Sequence, residues 1–416
     1  MAKRTLIVAV LVLVACAEHR DHRTRVEFWG LGREGEEITK MIPEFERRNP
    51  GIQVVVQQMP WIAAHEKLLT AYVGDATPDV AQMGNTWIPE FVTVRALEEL
   101  TTRGIDRSDY FPGIWATNVV GGRLYGIPWY VDTRVVFYRK DLLASVGYPN
   151  GPRTWAELMD CMDRLVREKK SRYGILAPTN QFDLIELLAM SNRSPFLKTN
   201  GTRGAFREPP FAGAFAFYVE MFRRGYAPKV SNEQVANLYQ QFAQADFAMH
   251  VTGPWQIGEF SKRLPADMQD KWATAPLPAR DASEPTGISM AGGSSLVVFR
   301  GSKHKEAAQK LIEFLSEPAQ QVRLYELCGD LPARRSAWRA PALANDPHFA
   351  AFRVQLERVA PFPAVAEWEQ IAASMSQVGD AAVRGAMTTE GALADLDRTA
   401  DRILEKRRWV LERRAQ

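Results

Sequence analysis

The stretch VEFWGLGREGEEITKMIPEFERRNPGIQVVV, Val26–Val56, holds one strand–helix–strand unit. Val26–Trp29 is a short β-type run, followed by the glycine-rich Gly30–Gly35. Over Glu36–Arg48 the apolar residues Ile38, Met41, Ile42 and Phe45 recur at helical spacing. Asn49-Pro50-Gly51 stops that helix, and Ile52–Val56 reads as the next strand. Working outward, Trp61–Val73 is helical and Pro78–Met83 supplies a third strand. A β-α-β-α-β order predicts a mostly parallel sheet with helices on its faces. At 416 residues the chain exceeds the size at which one core stops growing, so two domains are expected.

A second region of the same kind follows. Thr154-Trp155-Ala156-Glu157 is a capping box, whose hydroxyl and carboxylate satisfy free N–H groups at a helix start. Trp155, Leu158, Met159, Met162 and Leu165 form the apolar stripe of that helix. Phe211–Phe222 is another apolar helix, and Asp246–Val251 reads as a strand running into Gly253-Pro254-Trp255. Gly292-Gly293 precedes the strand Leu296–Phe299. A helix then opens at Ser302 and stops near Pro318.

The N-terminal run MAKRTLIVAVLVLVAC, Met1–Cys16, has a charged start at Lys3 and Arg4 and an apolar segment at Leu6–Val14. That segment is too short to cross a bilayer, which takes about 20 apolar residues. Leu13-Val14-Ala15-Cys16 resembles a bacterial lipobox. The resemblance implies a lipoprotein signal peptide at 1–15, lipid on Cys16 and a tether over 16–23. With Cys16 lipidated, Cys161 and Cys328 remain, without a CxxC, and read as two buried thiols.

Charge and motifs exclude several classes. The net charge is +3, and +1 once Lys3 and Arg4 are gone, too little to argue for nucleic acid. Gly30-Leu31-Gly32-Arg33-Glu34-Gly35 is a literal G-x-G-x-x-G, yet Gln57 and Gln58 stand where a ribose-binding acid should end the second strand. There is no phosphate-binding G-x-x-x-x-G-K-[ST] and no G-x-S-x-G. His65-Glu66-Lys67-Leu68-Leu69 lacks the second histidine of a zinc protease. No metal site and no cofactor are expected. A glycosidase needs two carboxylates flanking one bond, and nothing local marks such a pair.

What remains is an aromatic pattern. LYGIPWYVDTRVVFYRKDLL, Leu124–Leu143, sets Trp129 and Tyr130 beside Asp132, and the chain carries 11 Trp and 11 Tyr. Indole and phenol rings cover the apolar faces of a sugar ring, while carboxylates and amides fix its hydroxyls. A buried hydroxyl left unpaired costs about 1–3 kcal/mol, so those polar partners set specificity. An aromatic run before a strand is more often the mark of a hydrophobic core, and both readings stay open at this point.

Several runs in fixed order resemble one family. They are FERRNPGIQV near residue 50, GDATPDVAQM at Gly74–Met83, and GIPWYVDTRVVFYRKDLL followed by PRTWAEL. AMHVTGPW at Ala248–Trp255, GGSSLVVFRGSKHKEAAQKLIEFL at Gly292–Leu315, and Leu331-Pro332-Ala333-Arg334-Arg335 complete the set. Together they resemble the sugar-binding lipoproteins of bacterial ABC importers, the maltose- and trehalose-binding-like branch of the extracellular solute-binding proteins.

The resemblance implies an α/β, two-lobed periplasmic-binding-protein fold of the maltose-binding-protein kind. Each lobe is a sheet flanked by helices, joined to the other by hinge strands. It assigns 24–136 and 288–336 to the N-terminal lobe, and 137–287 and 337–416 to the C-terminal lobe. The implied function is non-catalytic: capture of a small α-glucoside such as maltose, trehalose or a short maltodextrin by lobe closure. Delivery is to ABC permease subunits with a separate ATPase, from a lipid-anchored monomer in the periplasm or outside the cytoplasm. The alternatives are the same fold holding a polyol, polyamine or peptide, and a secreted glycosidase. Asp132 matches the hydroxyl-binding acid and Trp255 the stacking tryptophan. Gly292 and Gly293 match a backbone contact where a side chain would block the sugar. Asn85 stands where relatives carry Asp. Trp87 in the same GNTW run, Tyr130 beside Asp132, and Glu36, His65 and Arg335 complete the expected sugar-binding set.

Overall fold

The computed structural model describes residues 23–181 and 183–415; the expected signal peptide and Cys16 lie outside the described residues. The sheet strands, numbered in chain order, are β1 (Thr24–Leu31), β2 (Ile52–Met59), β3 (Val80–Gly84), β4 (Ile127–Asp132) and β5 (Val135–Arg139). They continue with β6 (Tyr173–Leu176), β7 (Phe247–Thr252), β8 (Trp272–Ala275), β9 (Gly292–Val298) and β10 (Leu331–Pro332). A six-stranded sheet has the order β10-β4-β9-β3-β1-β2, and a four-stranded sheet the order β8-β5-β7-β6. β1 runs parallel to both β2 and β3, whereas β9 is antiparallel to β3 and β4. The parallel pairs are the strand–helix–strand units read from the first stretch. The antiparallel strands arrive from far along the chain, which local patterning does not report.

Packing explains why the glycine run is neither a cofactor loop nor a long turn. β1 continues to Leu31, and a helix starts at Gly32, four residues before the predicted start. A Cβ on Gly30 would lie 2.5 Å from Gly35 Cα, and one on Gly35 would lie 2.6 Å from the Gly30 carbonyl carbon. Strand and helix backbones therefore touch, and only glycine permits it. Gly32, at φ +53°, makes the sharp reversal between them.

Val26, Phe28, Val80, Leu296 and Val298 of the larger sheet share one continuous core with Phe137, Leu176, Phe247 and Trp272 of the smaller sheet. The other face of the smaller sheet, with Val136, Tyr138, Ile175 and Met249, lies in a second core. Each such aliphatic or aromatic side chain contributes roughly 1.5–3 kcal/mol on burial. The helix Trp155–Arg167 buries Trp155, Leu158, Met162 and Leu165 of its predicted stripe, together with Cys161, while Met159 at the stripe's edge is only half-buried. Its cap differs in one detail: Thr154 Oγ1 accepts from the Glu157 N–H at 3.2 Å, but Glu157 accepts from the Arg153 N–H at 2.6 Å. Cys161 and Cys328 are both free thiols, the first buried and the second partly so.

Candidate functional site

The sheets meet where β4 passes into β5 through Thr133 and Arg134. Ser289 Oγ accepts from the Arg134 N–H and donates to the Arg134 carbonyl, both at 3.0 Å. Thr133 Oγ1 donates to the Met290 carbonyl at 2.9 Å. Ser289 and Met290 in turn pair in parallel with Val359 and Ala360. The crossing segments thus lie side by side and form the floor of the cleft between the two sheets.

Strand alternation sorts the aromatic run of β4. Trp129 is fully buried, edge-on to Phe28 at 6.1 Å, and is core. Tyr130 and Asp132 take the other face. Burial, then the charges of Glu34 and Asp330, push the Tyr130 phenol well up. Burial and Glu34 likewise drive Asp330 toward its neutral form. Glu36, expected as a polar contact near the opening of the first helix, is exposed there, and the acid buried beside Tyr130 is Glu34. Because the helix starts at Gly32, Glu34 shares the inward face with Ile38 at i, i+4, and Glu36 projects the other way.

Asp132 is held by a residue that the sequence reading did not single out. Arg134 Nη1 donates to Asp132 Oδ1 at 2.6 Å, and Arg134 Nε donates to Asp183 Oδ2 at 3.0 Å. The guanidinium lies 4.7 Å from the ring centroid of Trp255, which is 48% exposed. Burial works against the Arg134 charge, but Asp132 and Asp183 outweigh it and hold the group protonated. Burial raises the Asp132 carboxyl, and Arg134 works against that rise. With side chains 12% and 25% exposed, Arg134 and Asp132 depend on each other for charge compensation, and removing either leaves a partly buried charge without its partner. Trp255 owes its pose to Gly253, since a Cβ there would lie 2.5 Å from the indole Cε3. Close by, Glu186 is buried, and neither carboxylate oxygen has a hydrogen-bond partner. Burial, then Asp183 and Glu369, push its carboxyl well up against the pull of Arg134.

The facing wall comes from the larger sheet. His65 Nε2 lies 2.7 Å from Glu90 Oε2, and its ring packs edge-on against Trp87 at 5.1 Å. The Glu90 bond is the main cause of a raised His65 pKa, and the charge of Glu369, from the helix Trp368–Val383, adds to it. Trp61, unforeseen in the sequence, packs edge-on to Trp87 at 5.6 Å. Asn85 is buried; its Oδ1 accepts from Ser295 Oγ at 2.8 Å, and its Nδ2 has no partner. Asn85 also lines a cavity of about 270 Å³ closed by Thr117, Ala291, Phe362 and Trp368.

The remaining predicted residues divide. Gly292 pairs with Asp132 and Gly293 with Val131 across β9 and β4. A Cβ on Gly292 would lie 2.7 Å from the Asp132 carbonyl, and Gly293 sits at φ +113°. Close strand approach accounts for both glycines. Arg335 is not brought to the others: Nε donates to Glu357 Oε1 at 3.0 Å and Nη1 to the Ser108 carbonyl at 3.2 Å. A surface acid and a carbonyl hold its guanidinium in this arrangement. Among the described residues no group of acid, histidine and cysteine side chains could hold a metal ion.

Known proteins resemble this chain in sequence and in fold. A family profile described as bacterial extracellular solute-binding protein matches residues 29–322. The sugar-binding protein MalE from the phytopathogen Xanthomonas citri is 46% identical, over 94% of this chain and 99% of its own, at a TM-score of 0.90. The galactooligosaccharide-binding protein of Bacillus subtilis is 26% identical over 80% of this chain and 78% of its own. The diacetylchitobiose binding protein DasA of Streptomyces coelicolor is 25% identical over 70% of this chain and 69% of its own. Maltose-bound MalE3 of T. maritima, at 23% identity over 91% of this chain and 99% of its own, shares the two-lobed fold at a TM-score of 0.73.

Proposed function

This chain belongs to the bacterial extracellular solute-binding proteins, and from that premise we propose that it captures a small neutral α-glucoside, maltose, trehalose or a short maltodextrin, for an ABC importer. Oligosaccharide binding of the ABC-transporter type is the family's work, and its members are binding proteins rather than enzymes. The observation that carries the narrower reading is the half-exposed Trp255 ring beside Asp132, a flat apolar face next to a hydroxyl acceptor. The likeness to a MalE at 46% identity supports an α-glucoside over the other sugars bound by more distant relatives.

In this reading 24–136 and 288–336 form one lobe, 137–287 and 337–416 the other, and ligand contacts both. Sugar then favours the closed arrangement by its differential affinity for the two states. The closed form is what separate permease subunits would accept, with a separate ATPase driving release. The chain works as a monomer held outside the cytoplasm by lipid on Cys16, and it returns its ligand unaltered.

Titration calorimetry of the full-length chain, in a detergent without a sugar headgroup, tests this against maltose, trehalose, galactooligosaccharide, diacetylchitobiose, a polyol, a polyamine and a peptide. Heat with an α-glucoside at micromolar concentration is the expected result. Binding only to a non-sugar, or new reducing ends from maltooligosaccharide, refutes the reading.

A further inference from the structure

Arg134 occupies a position of unusual consequence. It lies on the connection between β4 of one sheet and β5 of the other, and its own N–H and carbonyl are both bonded to Ser289 on a neighbouring crossing. Its side chain binds an acid on each side: Asp132 ends β4, and Asp183 opens a helix packed with the smaller sheet's core. Only 12% of that side chain is exposed, while Trp255 above it keeps about half its surface open.

Geometry sets what is left for a ligand. One Asp132 oxygen is taken by Nη1, and one face of the indole is covered by the guanidinium. A planar, five-donor group can hold two carboxylates and a ring at once, which an ammonium cannot. We infer that Arg134 is a positioning residue: it offers ligand the free face of Trp255 and the second oxygen of Asp132, and ties that presentation to the setting of the crossing on which it lies. The inference rests on the sugar-receptor reading for the nature of the ligand, and on the contacts above for the role of Arg134. A change in the angle between the sheets moves Asp183 relative to Asp132, so the clasp and the site respond together. A guanidinium so engaged is withheld from the ligand. It orients the groups that touch sugar without being one of them.

The test compares R134K and R134A with the unsubstituted full-length chain. Without ligand, acrylamide quenching of tryptophan fluorescence, with W255F as the reference for the Trp255 contribution, reports how that ring is held. R134K is expected to raise quenching of the Trp255 component at least twofold. Calorimetry with maltose and trehalose is expected to show at least a tenfold loss of affinity in R134K. Small-angle scattering is expected to show a smaller sugar-induced compaction than in the unsubstituted chain. Where R134A fails to fold, R134K, checked by its melting temperature, decides alone. Unchanged quenching with unchanged affinity overturns the inference. Lost affinity with unchanged quenching and full compaction also overturns it, because Arg134 then acts as a direct ligand contact. If neither sugar binds the unsubstituted chain, the sugar-receptor reading falls, and the ligand-free quenching still decides whether Arg134 holds Trp255.

Discussion

Glu186→Gln should stabilise the protein increasingly as pH rises. Glu186 is buried, its oxygens lack partners, and Asp183 and Glu369 oppose its ionisation more than Arg134 favours it. Its folded pKa is therefore raised well above the ordinary carboxyl value of 4.5. Between that ordinary value and the folded one, the native state binds a proton that the unfolded chain has lost. Stability must then fall with rising pH, at a slope approaching about 1.4 kcal/mol per pH unit. Glutamine keeps the shape and has no proton to lose. The variant's advantage should be small near pH 4.5, within about 1 kcal/mol for an altered hydrogen-bonding group. It should then widen at that slope across the window. Urea unfolding of both chains from pH 4.5 to 7.5, followed by tryptophan fluorescence, measures it, and groups that titrate alike in both cancel in the difference. A difference that does not change with pH refutes the reasoning, because an ionised Glu186 would then be tolerated at neutral pH. Such a result would also place an extra negative charge beside the Asp132–Arg134–Asp183 cluster.

Other consequences are simpler. Trp255→Ala should reduce affinity for the bound sugar at least tenfold, about 1.4 kcal/mol, with little change in melting temperature because the ring is half exposed; calorimetry and thermal unfolding together check it. Gly293→Ala should cost of order 1–3 kcal/mol through backbone strain at φ +113°, with the new Cβ 2.9 Å from Val131 Cα. Gly258→Ala, in the helix Trp255–Arg263 with open space around it, should instead gain about 0.5–1 kcal/mol by chemical denaturation. The raised pKa of His65 means that its bond to Glu90 adds stability below about pH 6.5, and that this is lost as pH rises through the folded value. An NMR titration of the ring should show the upward shift, and H65Q should erase about 0.5–1 kcal/mol of low-pH stability.

Much of the fold was legible because periodicity survives in the final structure. Ile38, Ile42 and Phe45 lie inward, as their spacing demands, and Trp155, Leu158, Met162 and Leu165 do the same on the later helix. The glycine run was misread by four residues because sequence cannot distinguish a flexible loop from two backbones in contact. A helix that starts at Gly32 places Glu34, and not Glu36, on the buried side beside Tyr130. β9 and β10 join the larger sheet from far along the chain, a placement visible through family likeness and not through any local pattern.

The candidate site was harder to read, because a side chain's availability depends on who satisfies it. Arg334 and Arg335 are neighbours of identical chemistry; Asp109 takes Arg334 and Glu357 takes Arg335, and neither partner lies nearby in sequence. Asp132 and Arg134 sit two residues apart and were open to pairing, but Asp183 and Trp255 enter only when the chain has folded back twice. In the proposed reading, the groups offered to a ligand are ones that internal bonding does not exhaust: one oxygen of Asp132, the Nδ2 of Asn85 and the open face of Trp255. Each was named from sequence, yet its standing rests on the residue that occupies its other side. Chemistry at the crossing of the two sheets is therefore set by subtraction, and a substitution at Ser295 or Arg134 should alter the site as surely as one at Asn85 or Asp132.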